Sequence, residues 1–350
     1  MPPVFSLISQ PLKTSPFYFS IMPDVYFYET FAEEKELLQK YLIPVGISAE
    51  FISLTIQESK HRKPEAKLIS IRTQSRIPAH WQVPVISRST GFDHLAEYAK
   101  KVPCGYLPHY CNRAVAEQAM VLWMNLLRKM PAQVKHFQTF NRDALTGREL
   151  HGKKVVVFGV GKIGYEIYQL AKALGMEPFG VDIYQNYQDV HYLSPEEGVK
   201  SADIIVCAMN LFANNKRYFH YHFLKQAKQG ALFVNISRGE LSPTKDLLKL
   251  LQEEHLGGVA LDVFENEDII AEQLRSRWSG AEATGKLVDE KIGELEEVKV
   301  LRELQQHHNV ILTPHNSFNT HEAVLRKCQQ TVQQIESFLQ KGELVWKVHF

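Results

Sequence analysis

The sequence has no long apolar run, so no stretch approaches the ~20 residues of a membrane span. An excess of one charge is missing too. Forty Lys and Arg stand against 39 Asp and Glu, a net charge of +1. That balance provides no electrostatic footprint for nucleic acid or an anionic membrane, and neither is expected as a partner. Cysteine is scarce. Cys104, Cys111, Cys207 and Cys328 have no zinc-type spacing, no other cluster implies a metal, and reduced thiols in a cytoplasmic protein are expected. Internal repeats and low-complexity tracts are absent as well. What remains is an ordinary soluble composition, 45% hydrophobic and 23% charged, in 350 residues, enough for about two domains.

Against this plain background one stretch stands out. Val155-Val156-Val157-Phe158 reads as a buried parallel strand, and Gly159, Gly161 and Gly164 follow at G-x-G-x-x-G spacing. Tyr165 to Leu174 has the composition of a helix and Gly175 is its stop. Pro178 to Val181 is a second strand, and Asp182 ends it. This order binds a dinucleotide. Gly159 allows the turn, Gly161 lets a pyrophosphate approach the backbone, and Gly164 lets helix and strand pack closely. The helix N-terminus stabilises phosphate charge. Asp182 accepts from both ribose hydroxyls and repels a 2′-phosphate, so NAD is expected over NADP.

Elsewhere strands alternate with helices, which predicts two doubly wound parallel α/β sheets. Strands are expected at Val25 to Tyr28, Phe51 to Ile56, Leu68 to Ile71 and Val83 to Ser87, with a helix from Ala32 to Tyr41. Ala114 to Met130 reads as a long linking helix. Buried strands are expected at 203–209, 231–236, 258–264 and 310–313, then a helix from Glu322 to Leu339 and an edge strand at Leu344 to Val348. The resulting division is an N-terminal extension at 1–21, a smaller substrate domain at 22–112 completed by 321–350, and an NAD-binding domain at 113–320. In the extension Lys13 is the only charge, and Met22 fits a natural start. The charge-rich stretch 272–306, much of it helical by composition, reads as a solvated insertion.

Three buried strands run into ionisable groups: Arg238 after Ile236-Ser237, the acids of Asp262-Val263-Phe264-Glu265-Asn266-Glu267, and His315 after Thr313-Pro314. Carboxyl ends of strands converge on the ligand crevice of such a sheet. An Arg there forks a substrate carboxylate, and a His moves the carbinol proton. A carboxylate against the His favours its cationic form.

Taken in order, the glycine motif 159–164, Asn235-Ile236-Ser237-Arg238-Gly239, the run 258–267 and Thr313-Pro314-His315 resemble the D-isomer-specific 2-hydroxyacid dehydrogenases, in their D-lactate dehydrogenase-like branch. The resemblance covers the chain from Val25 to the C-terminal region. It implies a Rossmann NAD-binding domain, a flavodoxin-like substrate domain and a homodimer formed through the NAD-binding domains. Arg238 would orient the substrate, His315 would be the acid/base and Glu267 its partner, with Glu265 a rival of poorer spacing. Lys162 and Ile163 would present backbone to the cofactor. Met209, Asn210, Asn215, Ile236 and Ser237 would line its site, and Asp262 would bond the nicotinamide carboxamide. Thr90 and Gly91 resemble the loop whose amides hold the substrate carboxylate, and Tyr110 and Phe318 resemble residues that narrow the pocket.

The chain departs from the pattern at Asn210, where Pro is usual, and at Asn316, where a small or apolar residue is usual. Thr90 stands where phosphite dehydrogenases place Lys. Arg72 is similar to an arginine of the phosphoglycerate dehydrogenase substrate loop. The resulting expectation is NAD-dependent reduction of a small, pyruvate-like 2-keto acid to the D-2-hydroxy acid, and the reverse. Two alternatives stay open: a larger anionic substrate held by Arg72, and a non-catalytic NAD-sensing binding protein of the same fold.

Overall fold

The computed structural model describes residues 22–274 and 296–348. The expected extension at 1–21 and the middle of the 272–306 stretch lie outside them. Two parallel sheets organise the described chain. The first holds β1 (Val25–Phe27), β2 (Ala49–Phe51), β3 (Leu68–Ile71), β4 (Val85–Ser87) and β5 (Cys104–Gly105) in the order β2-β1-β3-β4-β5. This is the flavodoxin-like arrangement. The second holds β6 (Lys154–Phe158), β7 (Glu177–Val181), β8 (Ile204–Cys207), β9 (Ala231–Asn235), β10 (Leu256–Leu261) and β11 (Val310–Leu312) in the order β11-β10-β9-β8-β6-β7.

The apolar runs of the second sheet show why both of its faces are covered. Val155 and Val157 pack into one core with the helix Asn112–Leu127, whereas Val156 and Phe158 pack into the core on the other face. All four are fully buried. A strand with no polar face must be sandwiched; Phe158→Ala would cost about 3–5 kcal/mol. The first sheet is built the same way. Val25, Phe27, Leu68 and Ile86 pack under the helices Ala32–Leu42 and His321–Lys341, and Ile69, Ile71 and Val85 face Trp81 and Leu95.

Register brings the strand ends into line. Phe158 pairs with both Val181 and Cys207, Cys207 with Asn235, Asn235 with Leu261, and Leu261 with Leu312. The residues just beyond therefore share one edge: the glycine loop, Asp182, Met209, Arg238, Asp262 and His315.

Several expected elements differ. Residues 51–56 do not form a strand. The strand ends at Phe51, and Thr55 caps a short helix, Ile56–Ser59, through a capping box with Glu58. The edge strand at 344–348 reduces to a single bridge between Gly105 and Lys347. The long linking helix stops at Leu127, and Pro131 starts a second one, Met130–His136. The solvated reading of 272–306 fails at its C-terminal end. The helix Glu296–Gln306 buries Val298, Val300, Leu301 and Leu304, because its apolar residues fall on one stripe facing β11.

Candidate active site

At the glycine loop the geometry suits a dinucleotide. Gly159 sits at φ 91°, where a side chain is strained, and a Cβ there would press on the Ala208–Met209 backbone. Around Gly161 the space is open. The helix Lys162–Ala173 starts at that point, so its first N–H groups, from Lys162 and Ile163, face the gap. Asp182 is pinned by amide donors, Val160 N at 2.6 Å and Tyr184 N at 2.8 Å. The residues present therefore fit a pyrophosphate and an unphosphorylated ribose. Lys162 Nζ lies 2.9 Å from His109 Nδ1.

On the opposite wall, Met209 O accepts a hydrogen bond from Ser237 Oγ. Asn215 spends its side chain on its own loop: Nδ2 donates to Asn210 O and Oδ1 accepts from Phe212 N. It braces the Asn210 loop, which lacks the usual proline. Asn235, at the end of β9, accepts from Ser237 N and donates to Arg238 O, so the Ile236-Ser237-Arg238 turn is held from within.

The ionisable residues come together as follows. His315 Nδ1 is 2.7 Å from Glu267 Oε2, and the other Glu267 oxygen accepts from Phe264 N at 3.0 Å. Glu267, rather than Glu265, is therefore the partner, and it is itself oriented. His315 adopts φ 50°. Its turn is fixed by Asp262, a fully buried carboxylate that accepts from Thr313 Oγ1, from the amides of Asn316 and Ser317, and from Ser317 Oγ. This bracing role of Asp262 was not legible in the sequence.

Arg238 crosses to the first sheet. Its Nε and Nη2 donate to Asp93 Oδ1 at 3.0 and 2.8 Å, and its Nη1 donates to Ser237 O. Burial pushes the Asp93 carboxyl up, but the guanidinium beside it outweighs that and the net shift is downward. Asp93 was missed in the sequence; its only signal was an acid two positions after Gly91. A Cβ at Gly91 would overlap the Arg238 guanidinium. Among the described residues, no backbone acceptor takes the amides of Thr90 or Gly91. Their side of the cleft is braced by Thr90 Oγ1, which bonds Leu107 O and meets Cys111 Sγ at 3.3 Å.

Beyond this lies an aromatic end. Tyr110 and Phe318 meet edge to face, centroids 6.4 Å apart. Burial holds the Tyr110 hydroxyl well above the usual tyrosine range, so it stays protonated. Arg72 does not join Arg238; its guanidinium lies over Phe318 at 4.9 Å and Phe31 at 5.5 Å.

In sum, the Arg238 guanidinium, the His315–Glu267 pair and, among the described residues, two amides with no backbone acceptor lie on the same side of the molecule as the glycine loop. That set can hold a carboxylate, deliver a proton and accept a hydride donor.

Comparisons agree with this geometry. A family profile described as "D-isomer specific 2-hydroxyacid dehydrogenase, NAD binding domain" matches residues 119–317. A D-lactate dehydrogenase of Escherichia coli is 27% identical over 334 residues, covering 90% of this chain and 96% of that one. A D-lactate dehydrogenase of Streptococcus agalactiae is 30% identical over 276 residues, 76% of this chain and 78% of that one. The fold matches the crystal structure of Aquifex aeolicus D-lactate dehydrogenase, complexed with NAD and lactic acid, at a TM-score of 0.77 and 24% identity, over 92% of this chain and 98% of that one. The chain belongs to the D-isomer specific 2-hydroxyacid dehydrogenase family, in its D-lactate dehydrogenase branch.

Proposed function

We propose that this protein interconverts a small, pyruvate-like 2-keto acid and the D-2-hydroxy acid with NAD as cofactor. The 2.7 Å contact between His315 and Glu267, at the strand edge shared with Arg238, carries the reading. Relatives named D-lactate dehydrogenase support the substrate class.

When bound, the reduced cofactor supplies a hydride to the keto carbon. The chain does the rest. The Thr90 and Gly91 amides and Arg238 hold the acid, and Asp93 keeps the guanidinium aimed. His315, with Nδ1 against Glu267, presents Nε2 to the forming alkoxide and gives up its proton there. Asp182, the amides of Lys162 and Ile163, Met209, Asn210, Ile236 and Ser237 form the cofactor wall. Tyr110 and Phe318 limit the substrate side chain.

The test is NADH oxidation by purified protein against a panel of keto acids. His315→Ala is expected to lose turnover by about 10²–10⁴-fold and still bind NADH. Near-normal turnover would overturn the role of His315.

The reading extends to a homodimer built through the NAD-binding domain and to a cytoplasmic location. Exposed apolar side chains at Val134, Phe137 and Phe140 support the first. Among the described residues, no helix is long and apolar enough to cross a membrane. A monomer by sedimentation would overturn the dimer, and fractionation of cells would test the location.

A further inference from the structure

The strand β4 runs out into Ser87-Arg88-Ser89-Thr90-Gly91. Successive side chains of an extended segment point to opposite faces. Arg88 turns one way, to Glu34, Ser70 Oγ and Tyr28 O. Ser87 and Ser89 turn the other way and meet, with their hydroxyl oxygens 2.6 Å apart. Both serines are buried. A buried hydroxyl needs a hydrogen-bond partner. The Ser89 hydroxyl donates to Gly91 O at 2.7 Å, and Ser87 Oγ lies 2.9 Å from His94 Nε2.

The protons along these contacts can be shared in only one direction. Gly91 O is a carbonyl and can only accept, so it takes the single Ser89 hydroxyl proton. Ser89 must then accept from Ser87, and Ser87 must accept from His94. The imidazole is therefore the donor, with its proton on Nε2 and a lone pair on Nδ1. The setting of Nδ1 agrees. It is covered and has no hydrogen-bond partner among the described residues, which suits a lone pair better than an N–H. Burial, opposed by Asp93 and helped by Arg238, lowers the pKa of the ring to about 4, so the ring is neutral at pH 7. His94 also follows Asp93 directly, on the turn Asp93–Leu95. The loop after β4 is thus held in two directions, outward by Asp93 to Arg238 and inward by His94 to the two serines.

We infer that His94 is a positioning residue for the reaction, acting through a Ser87–Ser89 relay on the Gly91 carbonyl and so fixing the neighbouring amides that take the substrate carboxylate. Gly91 has no side chain, so its backbone is the freest part of the loop. A side chain cannot stiffen it, because a Cβ there would overlap the Arg238 guanidinium. The relay supplies the stiffness instead, by holding the Gly91 carbonyl, and a neutral imidazole does this without placing a further charge beside Arg238 and Asp93. A binding loop is preorganised in this way, by a supporting layer of hydrogen bonds behind the groups that touch the ligand. The inference rests on the keto-acid reading above, which assigns the Thr90 and Gly91 amides to the acid.

The test is steady-state NADH oxidation with the best keto acid of the panel by Ser87→Ala, Ser89→Ala, His94→Leu and His94→Gln, with NADH titration of each. Loosened amides weaken the ground state and the transition state alike. Ser87→Ala and His94→Leu should therefore raise KM for the keto acid about tenfold, while kcat stays within about threefold and NADH affinity holds. Gln carries an N–H that can stand in for Nε2, so His94→Gln should keep most of the wild-type KM. Among the described residues no hydrogen bond joins His94 to Ser89 directly, so the relay is what couples them. His94→Leu combined with Ser89→Ala should cost little more than either alone, whereas independent sites would multiply to about 100-fold. The ring ¹⁵N shifts of His94, identified by their loss in His94→Gln, should show the Nε2–H tautomer. If His94→Leu fails to fold, Ser87→Ala and the tautomer decide. An Nδ1–H tautomer, losses that multiply, or an unmoved KM in Ser87→Ala would overturn the relay and leave the keto-acid function standing. Silence of the wild type on every keto acid with NADH bound would overturn both.

Discussion

Asp93 Oδ1 accepts two hydrogen bonds from Arg238, and with them the loop after β4 is tied to the turn after β9. The two residues lie 145 positions apart and on different sheets. The carboxylate sets the direction of a guanidinium that would otherwise sample several rotamers. Asp93→Asn keeps the shape and removes the charge. Its expected effect is a rise in KM for the keto acid and a fall in kcat/KM of about 10–100-fold, with NADH affinity little changed. Steady-state kinetics and NADH fluorescence titration separate the two. Equal losses in both would show that Asp93 supports the cofactor fold instead.

Gly91 is required by the same approach. A methyl group there would occupy the position of the Arg238 guanidinium, which is backed by its own Ser237 carbonyl and by Asp93. Gly91→Ala should displace Arg238 and lower kcat/KM by about 10²-fold or more, the usual consequence of misplacing a reacting group by about 1 Å. The melting temperature should change little, because the overlap is with a side chain at the cleft and not with the core. A variant with full activity would mean that Arg238 reaches the substrate by another path.

Asp262 tests how His315 is held. Its two oxygens take four donors in the segment 313–317, and it is fully buried. Asp262→Asn replaces one acceptor oxygen by a donor facing other donors. The expected cost is about 2–4 kcal/mol of stability, together with a loss of turnover that exceeds the loss of NADH binding. Urea denaturation and single-turnover kinetics report these separately. Unchanged stability would mean the turn is fixed by its backbone alone.

Much of this site could be read from the sequence because its residues follow buried strands. A run such as Val155 to Phe158 has no polar face and must be interior, so whatever follows it lies at a sheet edge. That logic located Asp182, Arg238, Asp262 and His315. It did not find Asp93, because Asp93 lies six residues past a short strand, at the start of a single 3-10 turn, and the partner that gives it its role is distant in the chain. Lys327 was hidden for a different reason. On a helix whose other residues are largely polar, such as Gln329, Gln330 and Gln333, a lysine reads as solvent-facing, and only packing against Phe31 and Phe318 shows that it is not. The apolar stripe at 296–306 was masked similarly by the charges around Val298 and Leu301. Turn chemistry explains the Phe51 to Ile56 error: Thr55 and Glu58 make a cap that alternation of apolar residues cannot register.

Lys327 also predicts a pH dependence of stability. Burial, against the opposing pull of Glu34, lowers its pKa from 10.5 to about 8, with Arg72 and Arg88 pushing the same way as burial. In the unfolded chain it titrates near its ordinary value. Between about pH 8 and pH 10.5 the unfolded state therefore binds more protons than the folded one, and stability rises with pH across that window. Below about pH 8 both states carry the proton and the full cost of the buried charge is present. Lys327→Met removes that cost while Arg88 still neutralises Glu34. The variant should be more stable than the wild type by about 1–3 kcal/mol at pH 7, and the advantage should fade as pH approaches 10.5. Urea unfolding of both proteins at several pH values is the measurement, since other titrating groups are common to both and cancel in the difference. A variant less stable at pH 7 would show that the Lys327–Glu34 pair holds the fold.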